Sequence, residues 1–92
     1  MIFLSKVKDT FQITGRGLVV ALTEVGRDVL VRTNDPIQLR FADGKFLNTF
    51  IRSIEFICFP NVKKDSLALL MPAELNKQDI PIGTEIWLIR EE

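Results

Sequence analysis

Closely spaced glycines can lay backbone N–H groups against a phosphate, so Gly15-Arg16-Gly17, within "DTFQITGRGLVV", is the first stretch to test for chemistry. A dinucleotide fingerprint needs a third glycine where Val20 stands, and a strand–helix–strand unit around it. A Walker loop fails too, because Gly44-Lys45 is followed by Phe46 instead of Ser or Thr. A conformational role remains. Gly15 and Gly17 would adopt dihedrals closed to other residues, letting a strand turn sharply and pass close to its neighbour.

Asn76-Lys77-Gln78-Asp79 has the Asn-Lys-x-Asp form whose carboxylate reads the guanine edge in guanine-binding domains. Here it lies in a polar connection before "IPIGTEIWL", without a phosphate loop elsewhere, so no nucleotide is expected. Acid–base and nucleophilic chemistry fare no better. Histidine is absent, Ser5, Ser53 and Ser66 lack a base, and no two carboxylates are spaced for proton transfer. Cys58, in "FICF", is the single cysteine: it reads as a buried thiol and leaves no disulfide and no zinc cluster. Catalytic residues, cofactor and metal are all expected to be none.

Charge is balanced overall at 12 basic and 12 acidic side chains, which gives no global pull toward nucleic acid or an acidic membrane. The distribution is uneven: residues 1–64 hold ten of the cations against six acids, and residues 65–92 hold two against six. A basic face would follow if the fold kept these halves apart; a mixed surface would follow if it did not.

The elements that must position such residues are short. With 92 residues, 47% of them hydrophobic and 26% charged, the chain reads as one globular domain over 1–92. No apolar run approaches the ~18 residues that span a bilayer, and "MIFLSKVK" lacks the order of a signal peptide, so a cytoplasmic protein without a membrane partner is expected. In "PIQLRF", Ile37, Leu39 and Phe41 point one way and Gln38 and Arg40 the other, the alternation of a half-buried strand. Asp43-Gly44 follows, placed for a two-residue hairpin turn with positive φ. In "FLNTFIRSIEFICF" the apolar parity changes near Ile51-Arg52, as a bulge or a corner would cause. "FQI", "GLVVAL", "DVLVR", "SLALLM" and "EIWLI" add further strands, six to eight in all. Pro36 can begin a strand, Pro60, Pro72 and Pro81 fall in connections, and "PAELNKQD" is the one candidate helical turn. The expected fold is all-β, a small closed antiparallel β-barrel.

Taken together, "IFLSKVKDTFQITGRGLVV", "TNDPIQL" and "DIPIGTEIWL" resemble domain 2 of elongation factor Tu and related translational GTPases, over nearly the whole chain. The resemblance rests on the run Asp9, Phe11, Ile13, Gly15, Arg16, Gly17 and Val19. Asn34-Asp35, the apolar "SLALLM" and the Ile80/Gly83 pair add to it. It implies an antiparallel barrel that performs no chemistry and serves as a docking platform on RNA, on the ribosome and on a GTPase domain. The family's aminoacyl pocket is not matched, since Lys8, Ala21 and Ser66 stand where that pocket carries Glu, Thr and Asn.

Two functions therefore compete. In the first, a free-standing, non-enzymatic barrel docks on ribosomal RNA or ribonucleoprotein, with Lys6, Lys8, Arg16, Lys63 and Lys64 as phosphate contacts. The RNA reading requires Lys6, Lys8 and Arg16 to share one face. In the second, the barrel binds a GTPase in trans or pairs with itself, through an exposed apolar patch drawn from Phe3, Leu4, Phe59 and Trp87.

Overall fold

Alternation of apolar and polar residues folds this chain into strands. The computed structural model describes residues 1–22, 29–55 and 67–90. In chain order these form β1 (Ile2–Ile13), β2 (Gly17–Leu22), β3 (Pro36–Arg40), β4 (Phe46–Phe50), β5 (Ser53–Glu55), β6 (Leu67–Leu70) and β7 (Glu85–Leu88). A short 3-10 turn, Lys77–Asp79, precedes β7 and lies inside the segment expected to be helical. Pro36 opens β3 as expected, and Pro72 and Pro81 lie in connections, whereas Pro60 and Cys58 lie outside the described residues.

The strands pair antiparallel in the order β4-β3-β7-β1-β2-β6-β5, and this all-β sheet curls into a half-barrel. β1 serves both halves: Ile2–Lys6 pairs with β7, and Val7–Ile13 pairs with β2. The register slips between Phe3 and Ser5 and again between Val7 and Asp9. Each slip inserts a residue and bends the strand. Inside the curl, Val7, Leu22, Leu39, Leu69, Ile86 and Leu88 are among the residues of one buried apolar cluster. A smaller cluster of Val19, Ala68 and Leu70, with Phe11 packed against it, covers the opposite face of β2 and β6.

The parity change read at Ile51-Arg52 is a change of partner strand. Ile51 donates its N–H to the Asp35 carbonyl at 3.0 Å and accepts from the Asn34 N–H at 2.7 Å, beside β3. One residue on, the Arg52 N–H donates to the Leu70 carbonyl of β6 at 3.0 Å. The outermost strands β4 and β5 are thus successive parts of one run that turns at a buried Ile51.

Both glycines of Gly15-Arg16-Gly17 have positive φ, +83° and +127°. The Arg16 N–H donates to the Ile13 carbonyl at 3.0 Å, which closes the turn, and Gly17 then pairs with Ile13 to begin β2. Close passage is not what requires glycine here. A Cβ built on Gly17 would stand 3.7 Å from Leu70 and from the Met71 carbonyl, an ordinary contact, so the constraint is backbone conformation alone.

The β3–β4 hairpin corrects the two-residue expectation. The Phe41 N–H donates to the Lys45 carbonyl at 2.9 Å, the Gly44 N–H to Phe41 at 3.0 Å, and the Asp43 carboxylate accepts the Lys45 N–H at 2.9 Å. Three residues form the loop and Gly44, at φ +88°, is its left-handed residue, so Asp43 needs no positive φ.

These dihedrals set the cost of substitution. Gly17→Val places a β-branched side chain at φ +127° and is expected to lower unfolding free energy by about 3 kcal/mol. Gly15→Asn, in open space at φ +83°, is expected to cost less than about 1 kcal/mol. Urea denaturation of the two variants checks the contrast.

Candidate nucleic-acid interface

Burial of Ile37 and Leu39 on β3, and of Ile86 and Leu88 on β7, turns the intervening Gln38, Arg40, Glu85 and Trp87 to the outer face. The first slip in β1 brings two more residues to that face, with Phe3 opposite Trp87 and Lys6 opposite Glu85. A regular strand could not do so while also sending both Leu4 and Ser5 inward, and both are buried.

Apart from Lys6, these side chains and Asn48 form one linked array. Gln38 donates through Nε2 to Asn48 Oδ1 at 3.0 Å, and its Oε1 accepts from Arg40 Nε at 2.7 Å. The Arg40 guanidinium lies 4.2 Å from the centroid of the Trp87 ring, and Phe3 meets the same ring edge-on at 5.1 Å and 61°. Trp87 Nε1 donates to Glu85 Oε1 at 2.9 Å. Every member is held by a neighbour on the next strand or two residues along its own. A flexible cation is thereby converted into one of fixed position.

Beside the array the β3–β4 loop and the turn at Gly83 border an open cleft of about 640 Å³. Lys6 and Arg40 supply its positive charge, Glu85 its negative charge, and Phe46, 62% exposed, its free aromatic surface. Among the described residues no group of three Cys, Asp or Glu could hold a metal ion, and no helix is long and apolar enough to cross a membrane.

The expected cation set divides. Lys6 lies in the cleft, and Lys8 is exposed at the second slip in β1. Arg16, like Lys8, does not line the cleft. It sits in the β1–β2 turn, seven strand residues beyond Lys6 and then past Ile13, roughly 20 Å or more along the chain. There its guanidinium pairs with Glu55, and its carbonyl accepts from Arg52 at 3.2 Å. Lys63, Lys64 and Phe59 lie outside the described residues. Of the apolar candidates, Leu4 is core, while Phe3 and Trp87 belong to the array.

Arg40, Gln38, Asn48 and Phe46 add to the residues expected from the sequence, and the alternation in "PIQLRF" is the signal that turns Gln38 and Arg40 outward. The Asn-Lys-x-Asp stretch serves its own backbone. The Asp79 carboxylate accepts the Asn76 N–H at 2.8 Å, and the Asp79 N–H donates to the Asn76 carbonyl at 2.9 Å.

Arg40→Met keeps the length of the side chain but removes its charge from Trp87 and Gln38, and is expected to cost about 1–2 kcal/mol in urea unfolding followed by Trp87 fluorescence. Lys6→Met, at an exposed position, is expected to change stability by less than about 0.5 kcal/mol. In comparisons with known proteins, no family model, no curated protein and no solved structure matches the chain.

Proposed function

We propose that this chain is a non-enzymatic cytoplasmic docking module, a translation-factor-like β-barrel that binds RNA on the outer face of β4, β3, β7 and β1. The observation that carries the reading is the convergence of Lys6, Arg40 and exposed Phe46 around one open cleft. Two cations give phosphate oxygens charge-assisted partners, and an exposed ring gives an unpaired base a surface on which to stack. Arg40 is already oriented by Gln38 and Trp87, so binding loses little side-chain entropy there. In this reading the run at Ile51-Arg52 links the two ends of the sheet, and the outer face is convex and open to a large partner. The protein-partner reading draws support from a different feature, the apolar edge strand β4.

Fluorescence anisotropy with a labelled single-stranded RNA of mixed sequence tests the docking reading. Binding at low salt is expected to weaken linearly on a log–log plot, with a slope of about −1.4 for two phosphate contacts and steeper if Lys8 joins. Lys6→Glu and Phe46→Ala are each expected to lower affinity about tenfold, while Arg16→Ala, on the distant turn, leaves it within about twofold. Absence of RNA affinity at low salt, or equal losses at Arg16 and Lys6, would overturn the assignment.

A further inference from the structure

We infer that the open edge of β4 is a self-pairing site, at which a second copy of the chain adds its own β4 antiparallel about a two-fold axis at Asn48. The inference goes beyond the RNA reading and stands without it. β4 is the outermost strand on its side of the sheet. The Phe41–Lys45 and Ile51–Asp35 hydrogen bonds fix the ladder phase: Leu47 and Thr49 turn their backbone groups to β3, and Phe46, Asn48 and Phe50 turn theirs away. Among the described residues those outward groups have no ladder partner.

Natural edge strands are normally protected by a charge, a proline, a bulge or a cover. Residues 46–51, "FLNTFI", carry neither charge nor proline, and β4 pairs with β3 without a slip. Its large side chains are also uncovered, with Phe46 62%, Phe50 42% and Leu47 39% exposed.

The sequence itself chooses the occupant. Phe46-Leu47-Asn48-Thr49-Phe50 reads almost the same in both directions. Antiparallel pairing about Asn48 sets Phe46 against Phe50 of the second copy, twice by symmetry, and Leu47 against Thr49 of the second copy. The outward groups then exchange roughly six N–H···O bonds. Aromatic pairs directly opposite on neighbouring strands are favourable. Charge agrees with this orientation. Lys45 falls opposite the uncharged Ile51 of the second copy, whereas a parallel in-register pair would set Lys45 against Lys45.

Area sets the strength. Three partly exposed apolar side chains and one strand edge bury roughly 400–500 Å² per copy, below the total of about 1,200 Å² of a standard interface, so the dimer is transient. Its dissociation constant is expected to fall between about 10 µM and 1 mM.

Sedimentation velocity of the full chain from 10 µM to 1 mM reads the equilibrium directly, with no RNA present. The parent is expected to shift from monomer toward dimer, and Asn48→Lys, which sets like charges together at the axis, to remain monomeric and folded, with its thermal transition lowered by about 5–10 °C because Gln38 loses its Asn48 partner. A second variant guards against a folding defect. With Cys58→Ser as background, Asn48→Cys is expected to form a disulfide-linked dimer on mild oxidation, because residues directly opposite in a hydrogen-bonded pair stand about 5.5 Å apart. Leu47→Cys, opposite Thr49, should cross-link at least tenfold more slowly. A parent that stays monomeric at 1 mM, an Asn48→Lys variant that dimerises like the parent, or equal cross-linking at positions 47 and 48 would each overturn the inference.

Discussion

Everything in this fold depends on how β1 stays hydrogen-bonded while changing partner along its length. The first five residues of the strand belong to β7 and the rest to β2, so the strand must bend where the sheet curls. A regular pleat would carry inward and outward positions rigidly through that bend. The slips near Leu4 and Lys8 reset the alternation twice, and Leu4, Val7 and Thr10 all reach the buried side although their spacing is three. The same resets leave Phe3 and Lys6 on the outer face. Core and site thus share one cause.

On the outer face, order comes from saturation of polar groups. Gln38 is 8% exposed yet uses both ends of its amide, one to Asn48 and one to Arg40. Among the described residues no buried side-chain nitrogen or oxygen lacks a partner. A half-satisfied polar row on a sheet would cost stability; a fully paired one adds rigidity across three strands. Trp87 completes the arrangement, since its ring meets Arg40 and Phe3 while its N–H is held by Glu85. The face is therefore firm at Arg40 and open where it carries Phe46.

Much of this was legible from residue order, and the misses have physical causes. Alternation located β3 and β7, glycine type located the β1–β2 turn, and the parity break at Ile51 located the change of partner. β2 and β6 read as continuous apolar runs because both of their faces are buried, which hides their orientation from any two-residue period. Site assembly was less visible. Arg40 and Trp87 lie far apart in sequence and meet only through the register of β3 on β7, whereas Arg16 looked close to Lys6 and is carried away by the length of β1. Sequence neighbourhood misleads most along an extended strand, where each residue adds about 3.3 Å.

One feature of the strand order bears on how the chain acquires its shape over time. Among the described strands β7 is the last in sequence yet an interior one in space, laddered to β3 on one side and β1 on the other. Until residues 85–88 are available, a two-stranded β3–β4 ribbon stands apart from the β1-β2-β6-β5 group, and an isolated ribbon is marginal in water. Joining the two groups therefore rests on pairings between residues distant in sequence, the regime in which folding is slow.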